Sequence, residues 1–443
     1  NPGKTFNMKE ILIYCHNKGP RLEYVSDFIF RESLGVSVKF TSRVKDLLNY
    51  EFAINYSTEE IRSVFQIMPF GLLEETGIRK QDIPVIVEKD LPFLCPVKGP
   101  DLFFDPFSAI FYLLSRYEEY LPSDKDKYGR FKASNSIAWK NSFINLPVVN
   151  IWIKTLMKKL TSLYPGIHFT EPEKAFIPTI DIDNPWAFLN KSFYRRMGGV
   201  SKDFISLNYN RLAYRLSVLR KTSQDPYDAY EYIMKAHPET LKIFYLMGNR
   251  SRYDNKISSR NPAWNDLVKK LSEHFETGIH PSYHSHTKIN VILKEKKILE
   301  SISQQKIRIS RQHFLRLSFP LTFRNLIKAG ISEEYSMGYP ETTGFRAGTS
   351  LPFLFYDLER EIVSGLRFMP FTVMDRTLKD YLHLSPEEAK RRISDLVMTI
   401  KKFGGNFVSV WHNESLGLSE EWEGWKEVYD YLLQKGNEIN TMN

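Results

Sequence analysis

Beyond about residue 170, short apolar runs alternate with longer stretches of helical periodicity. AFIPTID (175–181), LKIFYLMG (241–248), TGIHPS (277–282), RFMPFTVMD (367–375) and NFVSVWH (406–412) have strand length and composition. Between them, NDLVKKLSEHF (265–275), INVILKEKKILESIS (289–303) and PEEAKRRISDLVMTIKKFG (386–404) place apolar residues on one helical face. Such alternation predicts parallel strands with helices packed outside, as an open sheet or a barrel. The earlier part has its own pattern. EILIYC (10–15) and FAINYS (52–57) read as strands. DPFSAIFYLLSRYEEYLP (105–122) predicts a helix with Asp105 as N-cap, Pro106 at the first helical position and a stripe of Phe107, Ile110, Phe111, Leu114 and Tyr117. VVNIWIKTLMKKLTSLYPG (148–166) predicts another helix, and PGIHFTEPEKAF reads as a connector. The division expected is a smaller α/β domain over 1–168 and a second domain over 169–443.

Composition narrows the chemistry. With 443 residues, 42% hydrophobic and 14% aromatic, the chain has material for more than one globular core. It has no apolar run long enough to span a bilayer and no secretory leader at its start, so the protein is expected inside the cell. Cys15 and Cys95 are its only cysteines, which excludes a disulfide framework and a thiolate metal site. Any metal must be held by histidine and carboxylate. The net charge of +9 comes from dispersed clusters (KEKK at 294–297, KIRISRQHFLR at 306–316, KRR at 390–392) without a nucleic-acid-binding motif. These read as solvated helix faces, and no nucleic-acid partner is expected.

Polar residues of chemical interest fall at predicted strand ends, where a parallel sheet gathers them. In PTIDIDNPW (178–186), Asp181 and Asp183 project to one side while Ile180 and Ile182 pack. Two neighbouring carboxylates call for a cation, or for one of them to serve as a base of raised pKa. GIHPSYHSHTK (278–288) holds His280 and His284 four apart. Extended, they would be about 13 Å apart; on a helical turn begun at Pro281 they share a face. Two imidazoles and one aspartate make a ligand set for catalytic zinc, with His286 left to a supporting or surface place. His412 ends a strand as a candidate proton donor, and Arg346, in GYPETTGFRAGTSLPF (338–353), is placed to orient a carboxylate.

Taken in order, these segments resemble the polysaccharide deacetylase family (NodB-like, carbohydrate esterase family 4) from about residue 175 to the end. TIDID is similar to its Thr-Phe-Asp-Asp-Gly motif, HPSYH to His-(Ser/Thr)-x-x-His, FRAGTSLPF to its arginine loop, FTVMD to its fourth motif and VSVWHN to its histidine-ending strand. The resemblance implies a distorted (β/α)7 barrel binding one divalent ion, zinc foremost, with cobalt or nickel as alternatives. Asp183, His280 and His284 would be its ligands. Asp181 would be the general base, held by Arg346, and His412 the general acid, tuned by Asp375. Trp186, Tyr283, Tyr339 and Trp411 would meet sugar faces. The activity implied is removal of N-acetyl groups from a sugar or polysaccharide. Hydrolysis of another amide or ester, and a non-catalytic saccharide-binding protein with a degenerate site, are the alternatives. Ile182 separates the two acids and Asn184 replaces the glycine, so the base and ligand labels are exchangeable. The stretch 311–341 also resembles deacetylase relatives of bacterial cell-surface polysaccharide pathways; its His313 has no assigned role. The first domain resembles an uncharacterised α/β domain that sometimes precedes these barrels.

Overall fold

The computed structural model describes residues 10–47, 49–236, 240–248, 251–254 and 257–440; the first nine residues, read above for a leader, lie outside these. Strand β1 (Glu10–Tyr14) pairs in parallel with β2 (Ser37–Thr41) on one side and β3 (Ala53–Asn55) on the other, and β4 (Phe65–Gln66) extends the sheet beside β3. A hairpin of β5 (Val85–Glu88) and β6 (Leu91–Leu94) follows. The helix Pro106–Leu114 begins as its sequence predicts, the Asp105 carboxylate accepting from the backbone N–H groups of Phe107 and Ser108 at 2.9 and 3.2 Å. Every residue of this helix is buried, and it stops before Tyr117, which enters a separate 3₁₀ turn. A 16-residue helix, Val148–Leu163, completes the region.

The second sheet contains β7 (Lys174–Ile182), β8 (Lys242–Tyr245), β9 (Glu276–Ile279), β10 (Ile309–Ser310), β11 (Glu333–Glu334), β12 (Phe353–Asp357), β13 (Ile362–Phe368), β14 (Val373–Met374) and β15 (Gly405–His412). Its order is β12-β13-β11-β10-β9-β8-β7-β15-β14. Every pairing is parallel except that of β12 with β13. The expected strand RFMPFTVMD is thus two strands, interrupted at Met369–Pro370, where proline lacks the ladder N–H. The expected distorted (β/α)7 barrel is not shown by these pairings: among the described residues the order is a line with edges at β12 and β14. What stands is a mixed α/β chain with largely parallel sheets.

Helices Pro262–Ser272, Ile289–Ser303 and Pro386–Phe403 lie where periodicity placed them. The last has a reciprocal cap, Ser385 with Glu388. Among the described residues no helix is long and apolar enough to cross a membrane.

The two sheets meet through buried polar groups. Arg21 reaches from the first region to Glu361, between β12 and β13, while donating to the carbonyls of Leu72 and Gly77. Tyr24 donates to the Leu354 carbonyl, and Asn150 to Ser350 Oγ and the Gly404 carbonyl. One large apolar cluster runs through both regions.

Candidate active site

Register assembles the site. Asp181 on β7 lies opposite His412 on β15 and Phe244 on β8. His280 follows β9, its N–H bonded to the Tyr245 carbonyl, and Arg311 follows β10, its N–H bonded to the Ile279 carbonyl. Asp375 follows β14. Residues far apart in the chain therefore stand side by side at the carboxyl ends of adjacent parallel strands, where open α/β sheets gather their ligand groups.

Asp183 is the centre. His280 Nε2 lies 3.2 Å from its Oδ1, and His313 Nε2 lies 3.4 Å from its Oδ2. His412 Nε2 stands 3.8 Å from Oδ2. Two of the imidazoles are oriented through their other nitrogen: His280 Nδ1 sits 2.7 Å from the Arg311 carbonyl and His412 Nδ1 is 2.8 Å from Asp375, partners that fix which nitrogen faces the centre. His313 Nδ1 lies 3.5 Å from Asp254 and makes no hydrogen bond among the described residues.

The donor atoms of Asp183, His280 and His313 all lie within 4.8 Å of one another. Two ligands about 2.1 Å from one ion at a tetrahedral angle stand roughly 3.4 Å apart, so these spacings suit a shared cation. A buried Asp183 Oδ1 that takes no hydrogen bond points the same way. The donors are one carboxylate and two imidazoles, a set that suits zinc and its borderline neighbours. Burial pushes the Asp183 carboxyl up, but His313 and His280 outweigh it and hold it well below the usual range. Burial pulls the His313 imidazolium down, while Asp183 and Asp254 together raise it to about 9.

Asp181 lies beside this cluster, its Oδ2 3.8 Å from His280 Nε2. Its Oδ1 accepts from Arg311 Nη1 at 2.6 Å. Arg311 is fully buried, donates also to the Tyr335 carbonyl and lies 4.5 Å over the Phe244 ring. Across the centre, Asp375 takes both the N–H and Nδ1 of His412 as well as the Ser415 hydroxyl. Burial lowers His412, yet Asp375 overcomes it and, with Asp183 and Asp181, raises the imidazole to about 10. Asp375 itself is pushed up by burial and pulled lower overall by His412.

The structure brings together Asp181, Asp183, His280, His412 and Asp375, and leaves other expected residues elsewhere. His284 is exposed, its ring against Tyr283. The segment after Pro281 forms a turn instead of a helix, so His280 and His284 do not share a face. His313 stands where the second imidazole was expected. Arg346 is buried against Glu119 and the Gly338 carbonyl, and Arg311 meets Asp181 in its place. Trp411 is buried against Tyr429, Trp186 packs near Tyr230, and Tyr339 lies by Arg116 and Arg346. Tyr283 packs with Tyr253, Phe314 and Arg316. None of these four lines the cavity. Arg311 and His313 come from one tripeptide, Arg-Gln-His, inside a segment that reads as a basic surface run, and the two-residue strand β10 just before it offers no periodic signal.

The cavity above the cluster measures about 590 Å³ and is lined by Asp181, Asp183, His280, His313 and His412, with Asn184 and Met374. Its aromatic wall is Tyr128, Tyr253, Phe314 and Tyr381. Tyr128 belongs to the first region, which therefore contributes to the site directly.

Residues 11–165 match the model of a family of unknown function, DUF7033. No curated protein matches the chain. Among solved structures, it is similar to a Mycobacterium smegmatis protein described as a polysaccharide deacetylase, at 11% identity and a TM-score of 0.36 over 61% of this chain and 91% of that one. It is also similar to a family 4 carbohydrate esterase from Streptomyces lividans in complex with acetate, at 10% identity and TM-score 0.27, covering 60% and 91%. A CE4 family pseudoenzyme from Bacillus anthracis is similar at 11% identity and TM-score 0.28, covering 60% and 61%. At these values the likeness settles neither a family nor an activity.

Proposed function

We propose that the protein is a metal-dependent hydrolase that removes N-acetyl groups from an N-acetylated sugar or polysaccharide. The observation that carries this reading is the convergence on one cavity of Asp183 with His280 and His313, of Asp181, held from behind by Arg311, and of His412, held from behind by Asp375.

Asp183, His280 and His313 would hold one divalent ion, zinc foremost and cobalt or nickel as alternatives. Bound there, it supplies a Lewis acid toward an acyl carbonyl and toward water. Asp181 is the general base: its Oδ2 faces the cluster while Arg311 holds Oδ1, fixing the carboxylate's direction. His412 is the general acid. Asp375 keeps Nδ1 engaged, so the proton to be given sits on Nε2, on the Asp183 side. A base on one side and an acid on the other are what amide hydrolysis asks for, since water must lose a proton and the departing amine must gain one. The acyl group is taken as acetyl by the resemblance of the motifs.

The test is acetate release from a panel of N-acetylated saccharides, with and without a chelator. Release that stops with chelation and returns with zinc is expected. A chain that takes up no zinc, cobalt or nickel at stoichiometric level overturns the reading.

A further inference from the structure

A second groove adjoins the cavity and shares four residues with it: Lys127, Tyr128, Arg130 and Tyr381. It measures about 510 Å³ and continues past Lys125, Lys132 and Trp139. Its cationic side chains are Lys125, Lys127, Arg130 and Lys132, against the carboxylates of Asp126 and Glu341 only. Both acids are already engaged. Asp126 accepts from the N–H groups of Tyr128 and Arg130 and from Arg130 Nε, and Glu341 accepts from the Ala133 N–H. Among the described residues, Lys125, Lys127 and Lys132 have no acidic partner within ion-pair distance.

This wall is built rather than loose. Lys125 and Phe131 bridge in antiparallel fashion, closing the turn that Asp126 caps. Arg130 donates to the Phe314 carbonyl at 3.1 Å and to the Tyr381 hydroxyl at 2.9 Å. Arg316 donates to the Tyr128 carbonyl at 2.9 Å. The turn is thus fastened to the residue next to His313. Trp139 leaves 46% of its surface exposed in the same groove, a flat apolar face suited to a sugar ring.

We propose that this groove is a subsite for an acidic sugar unit, so that the substrate is an anionic saccharide whose carboxylate or sulfate group meets Lys127 and Lys132 while the neighbouring N-acetylated unit occupies the cavity. The proposal rests on the deacetylase reading for the second clause and on the groove alone for the first. Continuity with the cavity favours an oligosaccharide over other polyanions, because one chain can fill both.

The experiment measures binding and turnover separately on the full chain loaded with zinc. The probes are an oligosaccharide alternating N-acetylglucosamine with glucuronate, a sulfated counterpart, a neutral N-acetylglucosamine oligomer, and an oligonucleotide of matched charge. The acidic saccharides are expected to bind at least about 10-fold tighter than the neutral one at low salt, with the ratio shrinking as salt screens it. The two acidic arms tell carboxylate from sulfate. In Lys127→Ala/Lys132→Ala the ratio is expected to fall close to one, with Lys127→Arg/Lys132→Arg retaining it. A ratio near one in the parent, a ratio unmoved by the alanine pair, or equal binding of the oligonucleotide overturns the subsite. Tight acidic binding with acetate released from none of the saccharides instead defeats the deacetylase reading and leaves the subsite standing.

Discussion

A histidine is useful to a cation only when a ring nitrogen is aimed at the other ligands, and on that measure His313 and His284 differ sharply. His313 is buried between Asp254 and Asp183; His284 lies in an exposed turn. His313→Ala is expected to weaken zinc binding by roughly 100-fold or more, and His284→Ala to leave it unchanged, both read by competition with a chromophoric chelator. The reverse result would restore the ligand set expected from the sequence. A like contrast holds for the two arginines. Arg311→Lys keeps a charge but supplies one point donor where a fork serves both Asp181 and the Tyr335 carbonyl, so kcat should fall by about 10- to 100-fold with zinc still bound. Arg346→Ala instead leaves Glu119 buried with Arg116 alone, costing about 3 kcal/mol in urea unfolding with no specific effect on turnover by the folded fraction. Asp181, Asp183, His280 and His412 were legible because they end apolar runs of readable length. His313 and Arg311 were not, because the strand before them is two residues long and their neighbours are basic.

At the scale of elements, the long strands β7 and β15 and the capped helices could be read, since periodicity and caps are local. The two-residue strands β10 and β11 could not: Ile-Ser and Glu-Glu carry no period, and their pairing is fixed by neighbours. Two consequences can be measured. Gly278 on β9 leaves room for the Phe244 ring, and a Cβ there would come within 2.4 Å of it. Gly278→Ala should cost about 1–3 kcal/mol in urea unfolding and, by displacing the ring beneath Arg311, also lower turnover. An unaltered midpoint would mean that the strand yields without strain. Glu334 ends β11 fully buried, accepting from the N–H and hydroxyl of Ser336, and burial raises its carboxyl to about 7. Because the folded state holds this proton more tightly than the unfolded chain, Glu334 is harmless below about pH 4.5. Its penalty grows as pH rises and is complete above about 7. Glu334→Gln, which has no proton to lose, should therefore gain on the parent across that interval, by up to about 3 kcal/mol at pH 8. A stability difference that is flat with pH would place the ionisation elsewhere.

At the scale of the molecule, the division near residue 168 was suggested by a change of pattern, but the way the two regions join was not. Arg21, in the helix Pro20–Ser26, is fully buried and its side chain spans the two sheets. Its partner Glu361 also accepts from Tyr356 and from the Gly77 N–H, so one carboxylate ties together three chain segments. Removing it strands a buried guanidinium, whereas removing an exposed partner such as Glu231, beside Lys235, strands nothing. Glu361→Ala should lower stability by about 3 kcal/mol, and Glu231→Ala by less than about 0.5 kcal/mol, in the same urea titration. The shape of the transition carries more information than its midpoint. If the regions are coupled through many contacts, as the shared apolar cluster implies, Glu361→Ala shifts a single transition. If this carboxylate is the chief tie, the transition splits in two. The Lys127–Arg130 wall, which belongs to the first region, would then lose its register with the cluster around Asp183 before the second sheet unfolds, and acetate release would fail at lower urea than zinc binding.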